Sequence, residues 1–128
     1  MSDTILHLDS PEKVSSLFCK VFTSLEVKGK FIITFRDLTY EVSELDRFIP
    51  VKNDEQTIFT CFLEYEPETV KVHDLVYQKN SDRWKLHKSF YRKLRLSKQW
   101  IDEQLKNVGF SQVDSTINNG LVTTIAYK

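Results

Sequence analysis

The chain has 128 residues, of which 41% are hydrophobic and 28% are charged, and its formal net charge is zero. These values are typical of one globular domain, so we expect a single domain spanning residues 1–128. A neutral chain has no general attraction for nucleic acid, and no apolar run is long enough to cross a membrane. We therefore expect neither partner.

The compartment is predicted from the N-terminus and the cysteines. The first residues lack the basic and apolar segments of a secretory signal, and Cys19 and Cys61 do not form a paired-cysteine motif. A reduced, cytoplasmic protein is the expectation, although one disulfide between the two cysteines stays open.

The first strong element is a helix that begins after Ser10. Serine is a favoured helix cap, and Pro11 in the first turn loses no hydrogen bond. Gly29 suits a left-handed helix end. Apolar residues at helical spacing predict a broad buried stripe, which consists of Val14, Leu17, Phe18, Val21, Phe22 and Leu25.

A short apolar run at residues 31–35 follows this helix. An unbroken apolar run after a tight turn is typical of a parallel strand covered on both faces. Arg36 and Asp37 come directly after it, at the carboxyl end of the predicted strand. Ligands bind at this end of open α/β sheets, so both residues are site candidates, with a surface ion pair as the alternative.

Residues 40–48 are predicted as a short helix, broken at Ile49-Pro50.

Three runs at 57–65, 70–79 and 84–94 are rich in β-branched and aromatic residues, and they predict an antiparallel meander over 57–95. Trp84 is predicted to lie in or beside the core. The third run also has a basic face, which we interpret as solvated and which consists of Arg83, Lys85, His87, Tyr91, Lys93 and Arg95.

Two histidines, His73 and His87, fall on neighbouring predicted strands. No third ligand completes a metal set, so we predict surface histidines and no metal site.

The chain then continues with a helix capped by Ser97 and ended by Gly109. Trp100, like Trp84, is predicted to lie in or beside the core.

A hairpin closes the predicted order of elements. Its turn is Asn118-Asn119-Gly120, a strong hairpin signal, and its strands are predicted at residues 110–116 and 121–127.

This order of elements, with the motifs "LEVKGKFII" at 25–33 and "LKNVGF" at 105–110, resembles the C-terminal half of a class I S-adenosylmethionine-dependent methyltransferase. The first motif is similar to the family's glycine turn into strand five, and the second to its approach to strand six. The resemblance implies an α/β fold with part of a Rossmann-like sheet, equivalent to strands five to seven, and with the meander as an insertion.

The resemblance also implies which residues lie at the reaction site. Ser2, Asp3 and Thr4 would lie beside the cofactor S-adenosylmethionine, and Asp3, His7, Arg36 and Asp37 would orient the methyl acceptor, a small molecule. Family members hold the cofactor with a glycine-rich turn and an acidic residue from their N-terminal half, and this sequence contains neither. The resemblance therefore implies a truncated transferase domain that is inactive or weakly active alone.

Two further expectations follow. The strand at 31–35 would lack its family neighbour on one side, which predicts self-association, a partner fragment or coverage by the meander at that edge. The alternative function is a non-catalytic α+β module that binds a ligand or partner through the meander surface.

Overall fold

The computed structural model describes residues 3–128, and these form two compact units. The helical unit comprises Met1–Tyr40, described from Asp3 onward, together with Leu94–Lys128, and the sheet unit comprises Glu41–Lys93. Within the described residues the fold is mixed α/β, with two helices and two antiparallel sheets.

Helix α1 spans Pro11–Ser24 and confirms the predicted cap, because the Ser10 hydroxyl accepts the backbone N–H of Lys13 at 3.3 Å. Its stripe is buried at Val14 and Phe18, and the other four predicted stripe residues pack against the same core. The predicted helix end is wrong. Lys28, not Gly29, adopts the left-handed conformation (φ 71°), in a turn that follows the last helical residue.

The sheet of the helical unit contains β1 (Lys30–Arg36), β6 (Gln112–Asn118) and β7 (Leu121–Tyr127), in the order β1-β7-β6 with every pair antiparallel. The prediction that residues 31–35 are covered on both faces is wrong. Phe31, Ile33 and Phe35 are buried in the core, whereas Ile32 between them is 51% exposed. The helices cover one face of this sheet, so the strand alternates as antiparallel strands do.

Helix α2 spans Lys98–Val108 and begins as predicted, since the Ser97 hydroxyl accepts the N–H of Trp100 at 3.0 Å. It ends at Gly109 (φ 129°), where a Cβ would lie 2.9 Å from the Phe22 ring. The hairpin is also confirmed, although β6 begins at Gln112 rather than at 110. Positive φ angles at Asn119 and Gly120 form the two-residue turn that favours these residue types.

The sheet unit contains β2 (Phe48–Asn53), β3 (Thr57–Tyr65), β4 (Thr69–Asn80) and β5 (Arg83–Leu94), in that order. The three predicted strands are confirmed. The predicted helix at 40–48 is wrong, because only a 3-10 turn forms at Glu44–Arg47.

Strand β2 was not predicted, because Ile49-Pro50 was interpreted only as the break that ends a helix. It is an edge strand with a register shift between Pro50 and Lys52, and a proline is tolerated in that setting. The core prediction for Trp84 is also wrong, since its side chain is 45% exposed.

Candidate functional site

The candidate site lies at the carboxyl end of β1, where Asp37 holds three segments together. One carboxylate oxygen accepts hydrogen bonds from the N–H (3.0 Å) and the hydroxyl of Thr39, and the other accepts the N–H of Lys98 at 3.2 Å. The Asp37 N–H donates to the carbonyl of Gly120 at 3.2 Å. Asp37 thus links its own loop, the first turn of α2 and the hairpin turn.

Asp3 lies beside β1 on the side away from β7. Its N–H donates to the carbonyl of Thr34, and its carboxylate accepts the N–H of Arg36 at 3.1 Å. The Arg36 guanidinium donates to the carbonyl of Asn119 at 3.3 Å, in the hairpin turn. The structure therefore brings Asp3, Arg36 and Asp37 to one end of the sheet.

The remaining predicted residues lie on or before a 3-10 turn at Thr4–His7. Ile5 and Leu6 anchor this turn in the core, with exposures of 1% and 0%. Thr4 and His7 are exposed. Ser2 lies outside the described residues, so its predicted contact with the cofactor stays a prediction.

A small cavity of about 200 Å³ opens close to Asp37 in the helical unit. The Arg95 guanidinium borders it and donates to the carbonyls of Leu38 (3.0 Å) and Thr39 (3.2 Å). The exposed lining of this cavity is mainly apolar. The lining residues are Pro11, Thr39, Arg95, Leu96, Ser97 and Trp100.

Sequence reasoning missed the role of this lining. It assigned Arg95 to a solvated strand face and left Thr39 without a role, and the two residues meet across 56 positions of the chain. No local pattern predicts such a contact. The Ser97 cap was the one usable signal, because it places the first turn of α2 near a strand end.

The residues present do not form a complete cofactor site. Two of the three glycines, Gly29 and Gly109, are packed so closely that an added Cβ would lie within 3 Å of another atom, and Gly120 forms the hairpin turn. None is left to cradle a ligand at the carboxyl end of β1. The described residues therefore contain no glycine-rich cradle at this end of β1.

No group of three or more histidine, cysteine, aspartate or glutamate residues suited to a metal ion occurs in the described part of the chain. His73 lies instead between the rings of Phe62 and Phe90, at centroid distances of 5.7 and 5.9 Å. No helix among residues 3–128 has the length and apolarity that a membrane crossing needs.

Both cysteines are free thiols in the structure. Cys19 is exposed on α1, whereas the Cys61 thiol donates to the Asp74 carboxylate at 3.3 Å. Burial, followed by the hydrogen bond and the negative charge of Asp74, raises the pKa of Cys61 to about 11. Cys61 therefore stays protonated near neutral pH and is a poor nucleophile.

We expect iodoacetamide to alkylate Cys19 much faster than Cys61 at pH 8. With a pKa of about 11, roughly one Cys61 side chain in a thousand is a thiolate at that pH. Mass spectrometry of the two cysteine peptides would measure both rates, with Cys19 as the internal control. The Cys61 rate should keep rising beyond pH 10, and Asp74→Asn should shift that rise to lower pH. A Cys61 profile that levels off near pH 9 would contradict this assignment.

No protein-family model and no curated protein sequence matches this chain. Among the solved structures that share its fold are three methyltransferases. An S-adenosylmethionine-dependent methyltransferase from Clostridium acetobutylicum aligns with a TM-score of 0.72 at 13% identity, over 98% of this chain and 55% of its own. CalS10, an amino pentose methyltransferase of calicheamicin biosynthesis from Micromonospora echinaspora, aligns with a TM-score of 0.74 at 7% identity, over 98% and 54%. The sugar N-methyltransferase KedS8 from a Streptoalloteichus species aligns with a TM-score of 0.72 at 8% identity, over 100% and 54%.

These alignments show a methyltransferase-like fold across essentially the whole chain. The chain spans little more than half the length of the three structures. At such low identity the likeness concerns the fold alone.

Proposed function

We propose that this chain is the C-terminal portion of an S-adenosylmethionine-dependent methyltransferase domain and that it does not bind the cofactor tightly by itself. The observation that carries the proposal is the fold likeness to three such enzymes over 98–100% of the chain. In this proposal β1, β6 and β7 are equivalent to the family's strands five, six and seven. The pairing of β1 with β7, and of β7 with β6, supports that equivalence.

The cluster at the carboxyl end of β1 would then form one side of the reaction site. Asp3, His7 and Arg36 would orient a small-molecule methyl acceptor, and Ser2, Asp3 and Thr4 would lie toward the cofactor. Asp37 would act mainly through position, because both its carboxylate oxygens already accept hydrogen bonds from the loop and from α2. The chain's own contribution is to position the acceptor and exclude water, which suffices for much of methyl-transfer catalysis.

Further polypeptide would have to supply the cofactor cradle. The outer edge of β1 is a natural place for it, because a strand added there would extend the sheet. Asp3 already occupies part of this edge through its bond to Thr34. Association with a partner fragment or a second copy at this edge remains a prediction of the proposal.

Titration of the ¹⁵N-labelled chain with S-adenosylhomocysteine, the stable product analogue, tests the proposal. We expect a dissociation constant in the millimolar range. This corresponds to a binding free energy weaker than about −5 kcal/mol. Amide shifts should be confined to residues 3–7 and 36–39. A matched pair of variants sharpens the result. Asp3→Asn should weaken the shifts, whereas Asp9→Asn, which removes only an exposed bridge to Lys13, should not.

Two results would contradict the proposal. Micromolar affinity would show that the chain does not need a separate cradle. Shifts that fall only in the sheet unit would place the ligand away from the end of β1, where the proposal expects it.

A second candidate function is a non-catalytic interaction module that uses the meander surface. The exposed aromatic side chains of the sheet unit favour it, since Phe48, Trp84 and Phe90 are 44%, 45% and 53% exposed. The two functions are compatible, because the candidate reaction site belongs to the helical unit.

A further inference from the structure

Four aromatic rings form a continuous row across all four strands of the sheet unit, and we call this row the aromatic ladder. Phe48 on β2 lies opposite Phe62 on β3, and Phe62 lies opposite His73 on β4. The ring of Phe90 on β5 completes the row. Successive ring centroids are 4.6, 5.7 and 5.9 Å apart, so each ring contacts the next.

The face that carries the aromatic ladder exposes much of its apolar surface. Its end rings are about half exposed, at 44% for Phe48 and 53% for Phe90. Residues two apart along a strand share a face, which adds further exposed side chains from β4 and β5. These are Tyr77 at 41%, Trp84 at 45% and Leu86 at 37%.

The exposed area is close to what a stable dimer needs. An aromatic side chain buries about 150–250 Å² when fully covered, so the exposed parts of this face amount to roughly 400 Å² of apolar surface. A standard interface buries about 800 Å² per partner, a little over half of it apolar. A patch of roughly 400 Å² is as large as the largest apolar patch of a typical monomer, and such patches are often functional.

Charges of both signs border the aromatic ladder. The Lys71 ammonium lies 4.1 Å from the centre of the Phe90 ring, and Glu64 is directly opposite Lys71 on the neighbouring strand. Arg92 pairs with Glu66 at 2.9 Å. Because both signs occur beside the same apolar row, a twofold rotation can bring unlike charges of two copies together, whereas a purely basic rim would favour an acidic partner.

We propose that the aromatic-ladder face is a homodimer interface, packed against the same face of a second copy of this chain. The area, the mixed charges and the zero net charge of the chain support a second copy over a strongly charged partner. Association through this face is independent of the proposed catalytic role, since that role belongs to the helical unit.

Sedimentation equilibrium of the full chain tests this inference. The wild-type protein should be a dimer at about 50 μM, with a micromolar or lower dissociation constant. Phe90→Glu places two carboxylates in the buried interface and should raise that constant at least about a hundredfold. Ile32→Glu is the matched control, because Ile32 is equally exposed (51%) but lies on the other sheet, and it should leave the dimer intact.

Two further measurements distinguish the loss of the interface from misfolding of the Phe90→Glu variant. Leu86→Ser is a milder change on the same face and should weaken the dimer while circular dichroism stays unchanged. In a Trp100→Phe background, Trp84 is the single tryptophan, and its quenching by acrylamide should fall as the protein concentration rises.

The inference is overturned if the wild-type chain is a monomer at about 200 μM. It is also overturned if Phe90→Glu and Leu86→Ser both leave the dimer intact. If Ile32→Glu dissociates the dimer in that case, the three-stranded sheet carries the contact.

Discussion

Replacing Phe18 with alanine is expected to lower the free energy of unfolding of the helical unit by about 3 to 5 kcal/mol. Phe18 is 0% exposed, and its ring meets the Phe31 ring edge-on, at a centroid distance of 6.0 Å and an interplanar angle of 71°. The truncation removes this contact and leaves a cavity between α1 and β1 that the surrounding side chains cannot fill. Urea denaturation followed by far-ultraviolet circular dichroism measures the change.

The matched control for Phe18 is Val27→Ala, in the turn after α1. Val27 is 82% exposed, so its truncation should change the free energy of unfolding by less than about 0.5 kcal/mol. Because domains of this size are stable by only about 5–15 kcal/mol, Phe18→Ala should leave the helical unit marginally folded at 37 °C. A loss below about 1 kcal/mol would show that α1 does not pack on β1 through this ring.

Replacing Asp37 with alanine is expected to lower the free energy of unfolding by about 2 to 3 kcal/mol, the second largest effect that we predict. The substitution leaves the N–H groups of Thr39 and Lys98 without their acceptor. It also removes a negative charge from the positive end of the α2 dipole. Asp37→Asn keeps one acceptor oxygen and should cost about half as much.

Asp82→Ala serves as the control for Asp37, because Asp82 is an exposed aspartate in the turn between β4 and β5. It should change the free energy of unfolding by less than about 0.5 kcal/mol. If Asp37→Ala is equally neutral, the carboxylate is not structural, and its position at the strand end would then favour a direct role in acceptor binding. An activity loss in Asp37→Ala is informative only when stability has been measured on the same variant.

The local elements of this protein were well predicted, and the reason is that short-range patterns determine them. The cap at Ser10, the stripe from Val14 to Leu25, the cap at Ser97 and the turn at Asn119-Gly120 each depend on residues a few positions apart. Failures occurred where packing overrode a local signal. Pro50 was interpreted as a break but lies in an edge strand, and Lys28 took the left-handed conformation that Gly29 was expected to adopt.

The candidate site shows the same division. The sequence placed Arg36 and Asp37 at a strand end, and the resemblance implied that Asp3 belongs to the same reaction site. The hydrogen bonds that give these residues their environment join positions far apart, such as Asp3 with Arg36 and Asp37 with Lys98. Composition and spacing contain no information on such pairings, so the Arg95 and Trp100 lining of the cavity went unpredicted.

By itself, the sequence determined the kinds of elements, their order and the resemblance to a methyltransferase half, because hydrophobic period and turn chemistry act within a few residues. The tertiary structure decided which faces are covered. An apolar run such as residues 31–35 has the same sequence pattern whether one or both of its faces are buried. Trp84 is a residue type often found in cores, yet its side chain is exposed on the aromatic-ladder face. Burial depends on which elements pack against a face, and those contacts come from distant parts of the chain.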